Sequence, residues 1–199
     1  MARVLNIHGW TNRRPEGHWQ RRLAAALRDQ GHIVSYPQLP NAEDPQLSEW
    51  LEVAVAELQQ LGEVYDRRSE PLIVVAHSLG CVTWMHIALQ GLAPEVAERV
   101  LLVAPPERAP ISPVPSFVAN DSDATIAEAL RQSAGEVVVV GSDLDPWQPS
   151  GIQAGVATPL GLTAIVIPGA QHFTVDNGFG QWQGVIDWVN DEYADLRVI

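Results

Sequence analysis

Residues 71–91, PLIVVAHSLGCVTWMHIALQG, decide how the chain folds. Leu72 to Ala76 is a short aliphatic run rich in β-branched residues and without polar alternation, the pattern of a strand buried on both faces. Leu79 to Leu89 carries the apolar periodicity of a helix, with Gly91 placed to close it. Only His77 and Ser78 lie between the two. A strand that enters a helix through so tight a turn thrusts one side chain outward, and here that side chain is a serine hydroxyl. Ala76 and Gly80, two residues to either side, are small. A serine at a strained turn needs this, because larger flanking side chains would clash. The plain alternative is a helix N-cap serine; the strand–turn–helix setting favours a nucleophile elbow.

Working outward, five more short buried runs read as strands: RVLNIH (3–8), HIVSY (32–36), RVLLVA (99–104), EVVVVG (136–141) and TAIVIP (163–168). Amphipathic segments separate most of them. Trp19, Leu23 and Leu27 share one helical face, as do Trp50, Ala54, Leu58 and Leu61. DATIAEALRQ carries Ile126, Ala129 and Leu130, and WQGVIDWVNDEY reads as a closing helix. Buried strands alternating with amphipathic helices predict an α/β fold: a doubly wound, mainly parallel six-stranded sheet with helices on both faces. The 199 residues fit one domain, 1–199, with no segment long enough for a separate lid. The proline-rich stretch PPERAPISPVPSFVAND (105–121) is expected to be an ordered extended loop.

Composition removes whole classes of function. The chain has 24 acids against 12 bases, a formal charge of −12. Nucleic acid and anionic membrane surfaces are therefore not expected partners. All the bases are arginine; without lysine there can be no P-loop, Schiff base or Ser–Lys dyad. Cys81 is the single cysteine, which excludes an internal disulfide and a CxxC pair. No run reaches the ~18 apolar residues of a membrane span, and MARVLNIHGW does not read as a signal peptide. A cytoplasmic location is the expectation.

In a doubly wound sheet, chemistry is placed in the loops beyond the carboxyl ends of the strands. A serine hydroxyl needs an adjacent base, and His172, just past the last strand, is the candidate. Of the other histidines, His8 ends the first strand, His77 lies in the elbow, His86 follows in the helix, and His18 and His32 flank the first helix. GSDLDPWQP (141–149) offers Asp143 and Asp145 to orient the base. The outer position is favoured: Pro146 holds Asp145 extended, while Asp143 can bond its own loop backbone; Asp176 is a distant third choice, since it shares the loop of the base. The order Ser, Asp, His is that of α/β-hydrolases. The oxyanion donors expected are the backbone N–H groups of Leu79 and of Trp10, which follows Gly9 in the loop after the first strand. Metal-dependent hydrolysis through Asp121, Asp123, Asp143 and Asp145 is a weaker reading, since the histidines are not at ligand spacing and Ser122–Asp123 suits a helix start.

Three stretches, AHSLGC (76–81), GSDLDPWQ (141–148) and GAQHFTVDNGFGQWQG (169–184), give the chain its resemblance to the small α/β-hydrolases known as retinoblastoma-binding-protein-9-like, or YdeN-like, serine hydrolases. The likeness covers essentially the whole chain. It departs at Gln171, where the family usually has glycine. The resemblance implies Ser78 as nucleophile, Asp145 as acid and His172 as base in a compact fold without a lid. The function expected is hydrolysis of small soluble carboxylic esters through an acyl-enzyme, without cofactor or metal; the alternative is a protein-binding module that keeps a hydrolase fold. Trp10, Trp84, Trp147 and Phe173 are candidate walls of a substrate pocket, with core packing at least as good a reading for Trp84; Arg13 and Arg14 stand in a loop near the site where they could meet an anionic substrate, a solvated loop being the favoured account. Sequence alone does not set the oligomeric state.

Overall fold

The computed structural model describes residues 1–63 and 70–199. Six strands form one wholly parallel sheet: β1 (Arg3–Ile7), β2 (Ile33–Ser35), β3 (Leu72–His77), β4 (Ala97–Val103), β5 (Ala134–Gly141) and β6 (Ala164–Val166), in the spatial order β2-β1-β3-β4-β5-β6. The α/β, doubly wound sheet expected from the alternating runs is thus the sheet observed. The strand order reverses between β1 and β3. A crevice opens at such a switch point beyond the carboxyl ends of the strands, so β1 and β3 present their following loops side by side.

Strand residues alternate between two cores. Leu5, Ile7, Val74 and Ala76 face one layer with α2 (Leu47–Glu63), α3 (Leu79–Leu89) and α4 (Asp123–Ser133). Val4, Ile73 and Val75 face the other, with α1 (Trp19–Asp29) and α5 (Gln183–Asn190). α3 is buried almost all round because it lies under the proline-rich loop as well as on the sheet: Ile111, Val114 and Phe117 of that loop join its core. The His86 Nε2–H donates to the Phe117 carbonyl at 3.0 Å, pinning loop to helix. Trp84 is fully buried in the same layer; truncating such a side chain costs about 3–5 kcal/mol. Cys81, one turn into α3, is also enclosed, its Sγ 3.3 Å from the carbonyls of Ala76 and Val103.

One helix is shorter than its periodicity suggests. WQGVIDWVNDEY reads as helix over 182–193, but α5 runs only from Gln183 to Asn190. Trp182 stays extended because its ring is set among Trp19, Phe173 and Phe179 while its Nε1–H donates to the Leu196 carbonyl at 2.7 Å. The chain then doubles back, and Gly184 N–H donates to the Val198 carbonyl. No helix among the described residues is long and apolar enough to cross a membrane.

Candidate active site

Ser78 links β3 to α3 with φ 53° and ψ −122°, a region L-residues rarely visit and one that costs on the order of 1–3 kcal/mol. Its neighbours hold it there. The Ser78 N–H donates to the Val103 carbonyl at 2.9 Å. Gly80 lies so close to β1 that a Cβ would stand 2.6 Å from the Ile7 carbonyl oxygen and 2.7 Å from that of His8. This is the physical reason for a small residue two places after the serine. Gly9 is equally confined: a Cβ there would stand 2.7 Å from Ser78 Cβ. The loop after β1 is therefore packed directly on the serine. Trp10, the residue after Gly9, and Leu79 both line the cleft with Ser78, and no hydrogen bond among the described residues engages either backbone N–H.

His172 Nε2 is 2.8 Å from Ser78 Oγ, and its Nδ1 is 2.8 Å from Asp145 Oδ2. The Asp145 side chain is fully buried and that of His172 is 12% exposed. Asp145 Oδ1 accepts the Trp147 N–H at 2.9 Å, so both carboxylate oxygens are engaged. The structure thus brings Ser78, His172 and Asp145 together. Asp143 is elsewhere: it is exposed, and its Oδ1 accepts the Gly169 N–H at 2.7 Å. It fastens the neighbouring loop, beyond the local turn bonding its position suggests. That N–H is also the main reason its carboxyl is held below the usual range.

The loop that carries His172 is bent by two left-handed residues, Gln171 at φ 49° and Phe173 at φ 55°. The first explains the one departure from the resemblance: glycine suits that backbone, and Gln171 adopts it while its Oε1 accepts from Asn177 Nδ2 at 2.9 Å. The second corrects an expectation. Phe173 does not wall the cleft; its positive φ turns it into the core, where it is 0% exposed and packs on Phe179 and Trp182.

The cleft has a volume of about 770 Å³. Trp10 and Trp147 do line it, in an edge-to-face pair with ring centroids 5.8 Å apart. Pro106, Ile111, Val175 and Leu79 add apolar surface, and Asn12, Thr174 and Asn177 add polar groups. Arg13 and Arg14 stay out of it: Arg13 pairs with Glu43, and Arg14 donates to the Tyr36 carbonyl. Among the described residues no three or more His, Cys, Asp or Glu side chains gather as a metal site; Asp123 is paired with Arg108 and Asp145 with His172.

Two further histidines border the cleft that spacing alone did not single out. His77 Nε2–H donates to the His172 carbonyl at 2.9 Å. His18 caps α1, its Nδ1 accepting the Gln20 N–H. Behind them His8 is satisfied at both nitrogens, with Nδ1–H donating to the Gly9 carbonyl and Nε2 accepting the Leu39 N–H. Burial lowers His8 and His18 to about 4 and His77 well below its ordinary value. All three are uncharged at neutral pH.

Comparison with known proteins places this architecture. The chain is similar to the ydeN gene product of B. subtilis, at 22% identity over 97% of this chain and 99% of that one, with a TM-score of 0.78. It is similar to a putative YdeN-like hydrolase from Pectobacterium atrosepticum at 19% identity, over 100% and 94% of the two chains, with a TM-score of 0.69. A dienelactone hydrolase from Anabaena variabilis shares 15% identity over 98% and 88%, with a TM-score of 0.64. These likenesses bear out the minimal α/β-hydrolase fold and the YdeN-like resemblance. No curated protein matches the chain by sequence. The serine hydrolase profile, however, matches residues 4–191, from the first strand to the end of the last helix. By that match, the chain belongs to the serine hydrolase family.

Proposed function

We propose that this protein hydrolyses carboxylic esters of small, soluble molecules through an acyl-enzyme intermediate. Ser78 Oγ attacks the ester carbonyl while His172 Nε2 takes its proton. Asp145 keeps the remaining proton on Nδ1 and stabilises the imidazolium. The tetrahedral oxyanion is met by the N–H groups of Leu79 and Trp10; each such donor is worth on the order of 10²–10³ in rate. His172 returns the proton to the departing alkoxide, then activates the water that releases the acid and frees Ser78 Oγ. The observation that carries this reading is the unbroken relay Ser78 Oγ–His172–Asp145, at 2.8 Å on both sides, built on a serine with φ 53°.

The cleft supports this substrate class. Its tryptophan pair and aliphatic wall suit an apolar acyl or alcohol group, and no arginine lines it among the described residues, so an anionic substrate would find no counter-charge. Fold likeness to a dienelactone hydrolase, whose name denotes a lactone and hence a cyclic ester, agrees with ester chemistry. With no lid-sized segment among the described residues, short soluble esters are the expected substrates.

The test is a fluorophosphonate probe together with a panel of p-nitrophenyl esters, amides and thioesters of rising chain length. Labelling is expected at Ser78, with turnover of short esters above the rest. Ser78→Ala should abolish both labelling and turnover without changing the melting temperature by more than a few degrees. Undiminished turnover in that variant would sink the mechanism, and faster amide than ester cleavage would sink the substrate class.

A further inference from the structure

His77 precedes the nucleophile in sequence, yet its side chain serves the base. Its Nε2 lies 2.9 Å from the His172 carbonyl oxygen. A carbonyl only accepts, so the His77 proton resides on Nε2. The ring is 2% exposed and wedged by its neighbours: centroids of Trp19, His18 and His172 lie 5.7, 5.6 and 5.2 Å away. Its Nδ1 is buried without a partner among the described residues, so nothing competes for its tautomer.

The base needs such an anchor. His172 sits between two left-handed residues, neither of them glycine. The His172 N–H is held at 3.3 Å by Asn177 Oδ1, a contact within the same loop. Among the described residues, the bond from His77 alone ties the backbone of His172 to the strand that carries Ser78.

We infer that His77 is a positioning residue that holds His172 over the reaction centre during deacylation. The inference rests on the acyl-enzyme reading above. In the free enzyme His172 is also fixed by the hydroxyl of Ser78. Once Ser78 Oγ carries the acyl group it has no proton to donate, and that bond is gone. His172 must then direct a water while held by Asp145, by the Trp147 ring, whose centroid is 5.9 Å away, and by the His77 tie. The tie is the same in both halves of the cycle. Its loss should therefore fall on deacylation more than on acylation.

Two variants and one spectrum test this. His77→Leu removes the donor at similar bulk, and His77→Gln places an amide N–H near the position of Nε2. Slower deacylation lowers kcat and KM together and leaves kcat/KM nearly intact. With p-nitrophenyl acetate, His77→Leu is expected to lose about tenfold or more in kcat, with KM falling in proportion and kcat/KM changing by less than about threefold. The burst should approach one equivalent of acyl-enzyme, and His77→Gln should recover most of kcat. Wild-type kinetics in His77→Leu, or equal losses in kcat and kcat/KM, would overturn the inference. Nitrogen-15 NMR of the imidazoles at pH 7 judges the tie without any turnover. A neutral Nε2–H tautomer at His77 supports it, and an Nδ1–H tautomer refutes it. If the wild-type protein reacts with the fluorophosphonate but cleaves no ester, the ester reading fails while the NMR result still decides His77.

Discussion

Asp143 and Asp145 stand two residues apart in one loop and do different things. Asp145 is buried, with one oxygen on His172 Nδ1 and the other on the Trp147 N–H. Asp143 is exposed and receives the Gly169 N–H. Asparagine at 145 can present an N–H where a carboxylate must accept one, which forces the wrong tautomer on His172; kcat should fall by ~10³–10⁴. Asparagine at 143 keeps an oxygen for Gly169, so Asp143→Asn should lose no more than a few-fold. Both variants should be assayed side by side with matched thermal melts; a dead Asp143→Asn beside an active Asp145→Asn would reverse the assignment. Pro146 was the legible clue to which aspartate turns inward, since it stiffens the backbone of the residue before it. The true partner of Asp143 was not legible, because it lies in the next loop and is brought near only by the pairing of β5 with β6.

Between elements, α3 approaches β1 closely at Gly80, beside the site. A methyl group there meets two backbone carbonyl oxygens, Ile7 at 2.6 Å and His8 at 2.7 Å, which cannot swing aside as a side chain could. Gly80→Ala should therefore cost about 2–3 kcal/mol, lowering the melting temperature by roughly 5–10 °C for a chain of this size. It should also slow probe labelling of Ser78, because relief means pushing β1 and the Trp10 loop away. A variant that melts and labels like the parent would show the contact to be slack. The same elements show why the fold could be read in advance. LIVVA and RVLLVA are buried on both sides, and EVVVVG is from Val139 onward, so their composition alone marks them as central strands. Phe173 and Trp182 escaped the reading for the opposite reason: their orientation is set by a left-handed backbone and by an aromatic cluster assembled from distant segments. His18 and His77 escaped it too, since their neighbours come from different strands and helices.

At the scale of the molecule, three uncharged histidines are enclosed around the first loop. Each has a folded-state value below its unfolded one, so the stability it lends is complete above about pH 6.5 and drains away as pH falls toward about 4. By pH 5 His8 and His18 together withdraw roughly 4 kcal/mol, and the buried His77 acts in the same direction. Protonating surface carboxylates would relieve the repulsion of a net charge of −12, but at 0.15 M salt that repulsion is largely screened. The melting temperature should drop by on the order of 10 °C between pH 7 and pH 5; calorimetry at fixed salt that finds no drop would mean the histidines are charged in the folded state. The enclosure of Cys81 has a use of a different kind. Its thiol lies three residues past Ser78, is fully buried, and is pushed up in pKa by that burial. An aromatic disulfide reagent can reach it only in molecules whose α3 has come away from β3. With no other cysteine in the chain, the colour released over time counts those openings, a stopwatch already wired into the turn that presents the serine.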